Sequence, residues 1–102
     1  MSRLESLLEI LKNDQNDAFS RYALALEYMS MNEPEKAKTE YLKLLNDQPA
    51  YLPVYYQLGK LYEHEGDLEE AKNIYNKGLF VATSQNELHT KNELQEAIDN
   101  LY

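Results

Sequence analysis

An internal repeat of 34 residues constrains this chain more than any other feature of its sequence. Residues 22–28 align with residues 56–62 when the chain is offset by that period, and both segments begin and end with tyrosine. Further along, Tyr41 aligns with Tyr75. Periods of roughly 20–50 residues are typical of arrays in which each repeat is one supersecondary unit stacked on its neighbours. The sequence therefore predicts a repeat protein, and the period covers nearly the whole chain.

Each period has the apolar pattern of two helices joined by a turn. In the first helix the apolar stripe comprises Leu24, Ala25 and Tyr28 in one repeat and Leu58, Gly59 and Tyr62 in the other. This spacing places the side chains on one face of a helix. Ala25 and Gly59 are small residues, so we expect a second helix to approach closely at these positions. The short connections predict that neighbouring helices run antiparallel.

Residues with strong preferences for helix ends separate the predicted helices. Gly66 can adopt the left-handed conformation that ends a helix, and Asp67 with Glu70 fits a capping box that begins the next one. Pro34 and Pro53 suit the first turns of two other helices.

These residues resemble the tetratricopeptide repeat family, whose pattern combines a large anchor, Leu-Gly-x-x-Tyr, a small Ala, an aromatic residue and Pro. The matching positions in the second repeat are Tyr55, Leu58, Gly59, Tyr62, Ala71 and Tyr75, with Gly78 and Leu79 closing its second helix. Those in the first repeat are Leu24, Ala25, Tyr28, Ala37, Tyr41, Leu45 and Pro49. The departures are Arg21 at the anchor of the first repeat and Thr83 at the proline of the second. The match spans roughly residues 18–84.

The resemblance implies an all-α fold, with antiparallel helix-turn-helix repeats stacked as a short right-handed superhelical solenoid. We expect about six helices in a single domain over residues 1–102. Its predicted parts are an N-terminal half-repeat helix at 1–15, repeat one at 18–51, repeat two at 52–85 and a C-terminal capping helix at 86–102. Atypical terminal units of this kind usually cap such arrays.

The two predicted terminal helices are both amphipathic. Their apolar stripes comprise Leu4, Leu7, Leu8 and Leu11 at the N-terminus, and Leu94, Ala97, Ile98 and Leu101 at the C-terminus. The start of the C-terminal helix stays open at this point. Ser84 with Glu87 and Thr90 with Glu93 both fit a capping box there.

Composition and charge exclude several classes of partner and compartment. The net charge is -8, and no Lys/Arg cluster offers the basic footprint that nucleic-acid binding needs. The absence of cysteine excludes disulfides and thiolate metal sites. Glu5 and Glu9 interrupt the N-terminal apolar residues, and no apolar stretch is long enough to span a membrane. We therefore expect a cytoplasmic protein without nucleic-acid or membrane partners, whose acidity serves solubility or steering towards a basic partner.

No residue pattern in the chain indicates catalysis, a cofactor or a metal. His64 lies among Glu63 and Glu65, but these side chains point in different directions at a helix end, and no second histidine follows one turn later. The serines lack the strained elbow motif of a nucleophile. We therefore expect a protein that is not an enzyme and has no cofactor.

The resemblance also implies that the first helices of successive repeats line a concave groove. The predicted groove residues are Phe19, Tyr22, Leu26 and Met29 in repeat one, and Tyr56, Lys60, Glu63 and His64 in repeat two. The first four recur at i, i+3, i+7 and i+10, which makes one continuous stripe beside the core stripe. Aromatic residues and methionine are enriched at binding surfaces.

The expected function is protein-protein interaction, in which a peptide or protein segment binds in the groove. Some members of the family grip a C-terminal carboxylate with cationic groove residues, but this chain has Tyr22, Leu26 and Gln57 there, and only Lys60 and Lys91 are basic nearby. An apolar or aromatic peptide is therefore the expected ligand. Two alternatives remain, since a terminal helix could cover the stripe, or the chain could be a structural unit that buries the stripe in a homodimer without a foreign ligand.

Overall fold

Six α-helices and no strand make up the computed structural model, which describes all 102 residues. The helices are α1 (Arg3–Asn13), α2 (Ala18–Ser30), α3 (Pro34–Asp47), α4 (Pro53–His64), α5 (Leu68–Ser84) and α6 (Leu88–Asp99). The predicted fold class and number of helices are thus confirmed. The chain divides into two compact units, so unit 1 (Met1–Tyr51) holds α1 to α3 and unit 2 (Leu52–Tyr102) holds α4 to α6.

In unit 1, α2 packs against both α1 and α3. Leu7 and Leu11 of α1 are buried in one cluster with Ala23 and Leu24 of α2. Leu8, which belongs to the predicted stripe of α1, is instead exposed to solvent. The N-terminal helix therefore covers only one side of α2.

In unit 2, α5 packs against both α4 and α6. A Cβ atom added at Gly59 of α4 would overlap the ring of Tyr75 on α5. A Cβ atom at Gly78 of α5 would meet Tyr55 and Leu94, which come from α4 and α6. The close approach predicted at Gly59 is confirmed, and Gly78 allows a second one.

Three of the helices end in the same left-handed turn. The turn residues Asn32, Gly66 and Asn86 have φ values of 59°, 83° and 58°. After each of them, the next N–H donates to a carbonyl five residues back: Glu33 to Tyr28 at 2.8 Å, Asp67 to Tyr62 at 2.9 Å and Glu87 to Ala82 at 2.9 Å. This bond satisfies a carbonyl that the helix end would leave without a donor. The prediction for Gly66 is confirmed, and asparagine, which tolerates this conformation, takes its place at the other two turns.

Only one of the two hydrogen bonds of the predicted capping box of α5 forms. The Asp67 carboxylate accepts a hydrogen bond from the Glu70 N–H at 3.2 Å. The N–H of Asp67 is already engaged by the carbonyl of Tyr62 in the turn that ends α4. The reciprocal bond to the Glu70 side chain is therefore not made.

The end of α5 and the start of α6 differ from the prediction. Gly78 lies in the interior of α5, which continues to Ser84 because Thr83 has the backbone N–H that a proline would lack. Neither capping box at the start of α6 forms. Glu87 is the N-cap residue without a side-chain bond, and Thr90 lies within the helix. The left-handed turn at Asn86, which precedes Glu87, sets this boundary instead.

Arg21 fills the anchor position of repeat one with a buried ion pair. Its side chain donates from Nη1 to Glu40 Oε1 at 2.6 Å and from Nη2 to the carbonyl of Gln15 at 3.0 Å. The equivalent positions of repeat two hold Tyr55 and Ile74, both of which are buried. The two repeats therefore fill these equivalent positions differently, with a bonded charged pair in repeat one and two buried uncharged residues in repeat two.

Candidate protein-interaction site

Three of the predicted groove residues form an exposed apolar stripe on α2. Phe19, Leu26 and Met29 are 70%, 36% and 39% exposed. Because α1 packs on the side of α2 that carries Ala23 and Leu24, it does not cover these side chains. Covering of the stripe by the N-terminal helix, one of the alternatives left open by the sequence, is therefore contradicted for these three residues.

Tyr22, the fourth residue of the stripe, belongs to a cluster of three tyrosines. Its ring centroid lies 6.3 Å from that of Tyr41 and 5.7 Å from that of Tyr51, with tilted ring planes. Burial, followed by the proximity of Tyr22, raises the pKa of Tyr41 and of Tyr51 above the ordinary value of a phenol. Tyr22 therefore has a packing role in unit 1, and its half-buried ring extends the exposed stripe only in part.

On α4, three of the predicted residues form a connected polar set, Tyr56, Lys60 and Glu63. The ammonium of Lys60 lies 5.4 Å from the ring centroid of Tyr56 and 3.6 Å from Glu63 Oε2. The same Glu63 oxygen accepts a hydrogen bond from the hydroxyl of Tyr75 at 2.6 Å. Burial and this hydrogen bond raise the pKa of Tyr75 above its ordinary value. His64, the fourth predicted residue, is exposed at the last position of α4 and does not join the set.

A hollow of about 190 Å³ lies beside the polar set in unit 2. Its lining comprises Tyr56 and Lys60 of α4 with Glu93, Glu96, Ala97 and Asn100 of α6. The C-terminal helix therefore borders two of the predicted residues of α4. The contribution of Glu93 and Glu96 to this surface was not foreseen, because it depends on how α6 packs.

Equivalent positions of the two repeats give their first helices different chemistry. In chain order the pairs are Phe19 with Pro53, Tyr22 with Tyr56, Leu26 with Lys60, and Met29 with Glu63. Only the tyrosine is shared. At the same repeat positions, the face of α2 therefore carries apolar side chains and the face of α4 carries charged ones.

The family of the chain follows from a comparison of its sequence with known families. A family model described as Tetratricopeptide repeat matches residues 20–50 and 52–79, which is more than half of the chain. The chain belongs to the tetratricopeptide repeat family. A tetratricopeptide repeat domain of Salinibacter ruber, whose solution structure is known, is 34% identical to it, with a TM-score of 0.83. The match covers 86% of this chain and 89% of that domain.

Two relatives known from their sequences extend the comparison. A TPR repeat-containing protein of Pseudomonas aeruginosa is 24% identical over 91 residues, which are 89% of this chain and 87% of the relative. An uncharacterized protein of Haemophilus influenzae is 31% identical over 77 residues, which are 76% of this chain and 43% of the relative. This tetratricopeptide repeat chain thus spans less than half the length of the Haemophilus protein.

Tetratricopeptide repeats are in general non-catalytic scaffolds for interaction between proteins. Two further observations concern other kinds of site. No helix of this tetratricopeptide repeat chain is both long enough and apolar enough to cross a membrane. No group of three or more His, Asp or Glu side chains comes close enough together to hold a metal ion, at His64 or elsewhere.

Proposed function

We propose that this protein is a non-catalytic binding module that holds a segment of another protein against the exposed stripe of α2. The observation that carries the proposal is the exposure of Phe19, Leu26 and Met29 on one face of a helix whose other sides are packed. Neighbouring exposed apolar side chains mark interaction surfaces in soluble proteins. Phenylalanine and methionine are also enriched at the buried cores of interfaces.

The chemistry of the two faces favours an apolar ligand over one held by its carboxylate. On the α2 face, Tyr22, Leu26 and Met29 offer no cation to a carboxylate. On the α4 face, the ammonium of Lys60 already lies beside Glu63. In this proposal the apolar stripe of α2 provides most of the affinity.

A selection experiment with random peptides tests the proposal. The immobilised full chain is used to select binders from a phage-displayed library of random dodecapeptides, and synthetic copies of the selected peptides are titrated by fluorescence anisotropy. We expect the double substitution Phe19→Ser and Leu26→Ser to weaken binding at least about tenfold, because truncation of central apolar contacts usually costs more than about 1 kcal/mol each.

A matched control variant carries Leu42→Ser and Phe80→Ser, which change two other exposed apolar side chains. Both variants should retain the thermal unfolding of the wild type, since the substituted side chains are exposed, and the control should retain its affinity. Equal affinities of the two variants would place binding elsewhere on the molecule. Failure to select any peptide would contradict the proposed function itself.

A further inference from the structure

The hydroxyl of Tyr41 is the one buried side-chain polar atom in the chain that has no hydrogen-bond partner. The side chain of Tyr41 is 1% exposed, so the hydroxyl is shielded from bulk water. Buried polar groups nearly always have a partner, and each exception calls for a physical explanation. Tyr41 also belongs to the tyrosine cluster of unit 1, in which it packs on Tyr22, the half-buried residue that extends the exposed stripe in part.

The second repeat shows what an equivalent hydroxyl bonds to. Tyr75 packs on Tyr56 at 6.2 Å with a tilt of 46°, and Tyr41 packs on Tyr22 at 6.3 Å with a tilt of 49°. The two tyrosine pairs are thus arranged alike. The hydroxyl of Tyr75 donates to Glu63, and the residue at the position equivalent to Glu63 is Met29. A thioether is only a weak acceptor, so repeat one lacks the carboxylate to which the equivalent hydroxyl donates in repeat two.

The residues of repeat one that correspond to Lys60 and Glu63 favour an acceptor without charge. In repeat two the carboxylate of Glu63 is accompanied by Lys60, whereas the equivalent of Lys60 in repeat one is Leu26. A carboxylate placed among Leu26 and Met29 would lose its hydration without gaining a counter-ion, which is costly. A carbonyl or carboxamide oxygen would meet the hydroxyl at far lower cost.

Met29 is suited to admit such an acceptor. Its side chain is 39% exposed, so it can turn outward into solvent. Methionine is unbranched and flexible, and its thioether packs well in changing surroundings. An incoming segment can therefore displace the end of this side chain without disturbing the helix that carries it.

We infer that the Tyr41 hydroxyl donates a hydrogen bond to an uncharged acceptor, a backbone carbonyl or a side-chain carboxamide, on a partner segment whose apolar side chains cover Leu26 and Met29. The inference rests on the proposed function and specifies its ligand. The ligand is a predominantly apolar, uncharged stretch of another protein with one acceptor aligned to Tyr41. On the charged α4 face the equivalent hydroxyl, that of Tyr75, already donates to Glu63, so this face offers no such hydrogen-bond donor to a partner segment.

Removal of single hydroxyl groups tests the inference, with the two repeats as each other's control. In Tyr41→Phe the fold loses only a buried group without a partner, so its melting temperature should stay equal or rise. The same change should weaken binding of the selected dodecapeptides about three- to tenfold, as loss of one hydrogen bond does. In Tyr75→Phe the bond to Glu63 is lost, so the melting temperature should fall while peptide affinity stays unchanged.

A second variant transfers the acceptor of repeat two into repeat one. Leu26→Lys together with Met29→Glu recreates the pair formed by Lys60 and Glu63 and leaves the net charge unchanged. This variant should remain folded by circular dichroism, because both positions are partly exposed, and should lose affinity for the selected peptides. Retained affinity would contradict both the acceptor site beside Tyr41 and the proposed use of the α2 stripe.

The outcomes separate this inference from the proposed function. Peptides that bind Tyr41→Phe as tightly as the wild type would overturn the inference and leave the binding module intact. Selected peptides dominated by Asp and Glu would overturn it as well. A lower melting temperature of Tyr41→Phe would show that the hydroxyl is already satisfied in the free protein, which also contradicts the inference. A failed selection would instead contradict the proposed function.

Discussion

Arg21 and Glu40 show how one position can be filled by different chemistry in two copies of a repeat. The Arg21 side chain, although charged, is buried and bonded at both ends of its guanidinium group. Tyr55 and Ile74 occupy the equivalent positions of repeat two. Loss of one member of a buried pair leaves the other charge without compensation, whereas exchange of both for apolar residues is often neutral or stabilising.

This contrast gives a prediction at the scale of single residues. Glu40→Ala should lower the free energy of unfolding by about 2–3 kcal/mol, somewhat less than for a fully buried pair, because the Glu40 side chain is 19% exposed. The double change Arg21→Tyr with Glu40→Ile, which copies repeat two, should recover most of that loss. Urea denaturation of the variants measures both values. A double variant as unstable as the sum of its two single changes would contradict this account of the pair.

The sequence revealed Tyr41 and Tyr75 as core residues because both fall on family positions, but it did not reveal the pairing of Arg21. A charged residue at an anchor position looks like a mismatch when it is considered alone. Its partner Glu40 lies 19 residues away on another helix, with nothing in the local pattern to link them. The sequence did contain one indication of the pair. At the offset of 34 residues, Arg21 aligns with Tyr55 and Glu40 aligns with Ile74, so both charged residues are replaced together in repeat two.

At the scale of the helices, the left-handed turns decide where elements end. Gly66 has no atom within 4 Å of an added Cβ, so a substitution there affects only the backbone conformation. Gly66→Ala should therefore lower the free energy of unfolding by about 1 kcal/mol, since an alanine in this conformation is strained. Asn32→Gly, at the equivalent turn of repeat one, should cause no loss or a gain of about 0.5 kcal/mol. Thermal and urea unfolding of both variants provide the measurement.

The comparison between these two turns contains its own control. If Asn32→Gly costs as much as Gly66→Ala, the asparagine side chain rather than the backbone angle closes the first turn. In that case the three turns would be alike in geometry but different in cause.

The existence of all six helices was predictable, whereas the boundary between α5 and α6 was not. Helical periodicity over many residues is a strong signal, and the apolar stripes supply it in each helix. A capping box is a pattern of two residues that several positions satisfy, and both candidates near the C-terminus were wrong. The deciding residue, Asn86, carried a weaker signal than a glycine because asparagine only tolerates the left-handed conformation.

At the scale of the whole molecule, the exposed stripe could be located from the sequence but its exposure could not. The stripe of Phe19, Leu26 and Met29 lies beside the core stripe of the same helix, and an apolar pattern does not distinguish an exposed surface from a packed one. That distinction depends on the side of α2 that α1 covers, which only the structure shows. The chemistry that we propose for the partner rests in turn on Met29, which occupies the position that Glu63 holds in repeat two.

The most direct test of the central claim is the mass of the protein in solution, by light scattering over a wide concentration series at moderate and high salt. The high-salt series is needed because a net charge of -8 opposes self-association at low salt. If the stripe serves a foreign partner, the mass should remain that of one chain, 11.9 kDa, at every concentration. A dimer that forms with rising concentration in the wild type, and is abolished by Phe19→Ser with Leu26→Ser, would show that a second copy occupies the stripe and would contradict the claim.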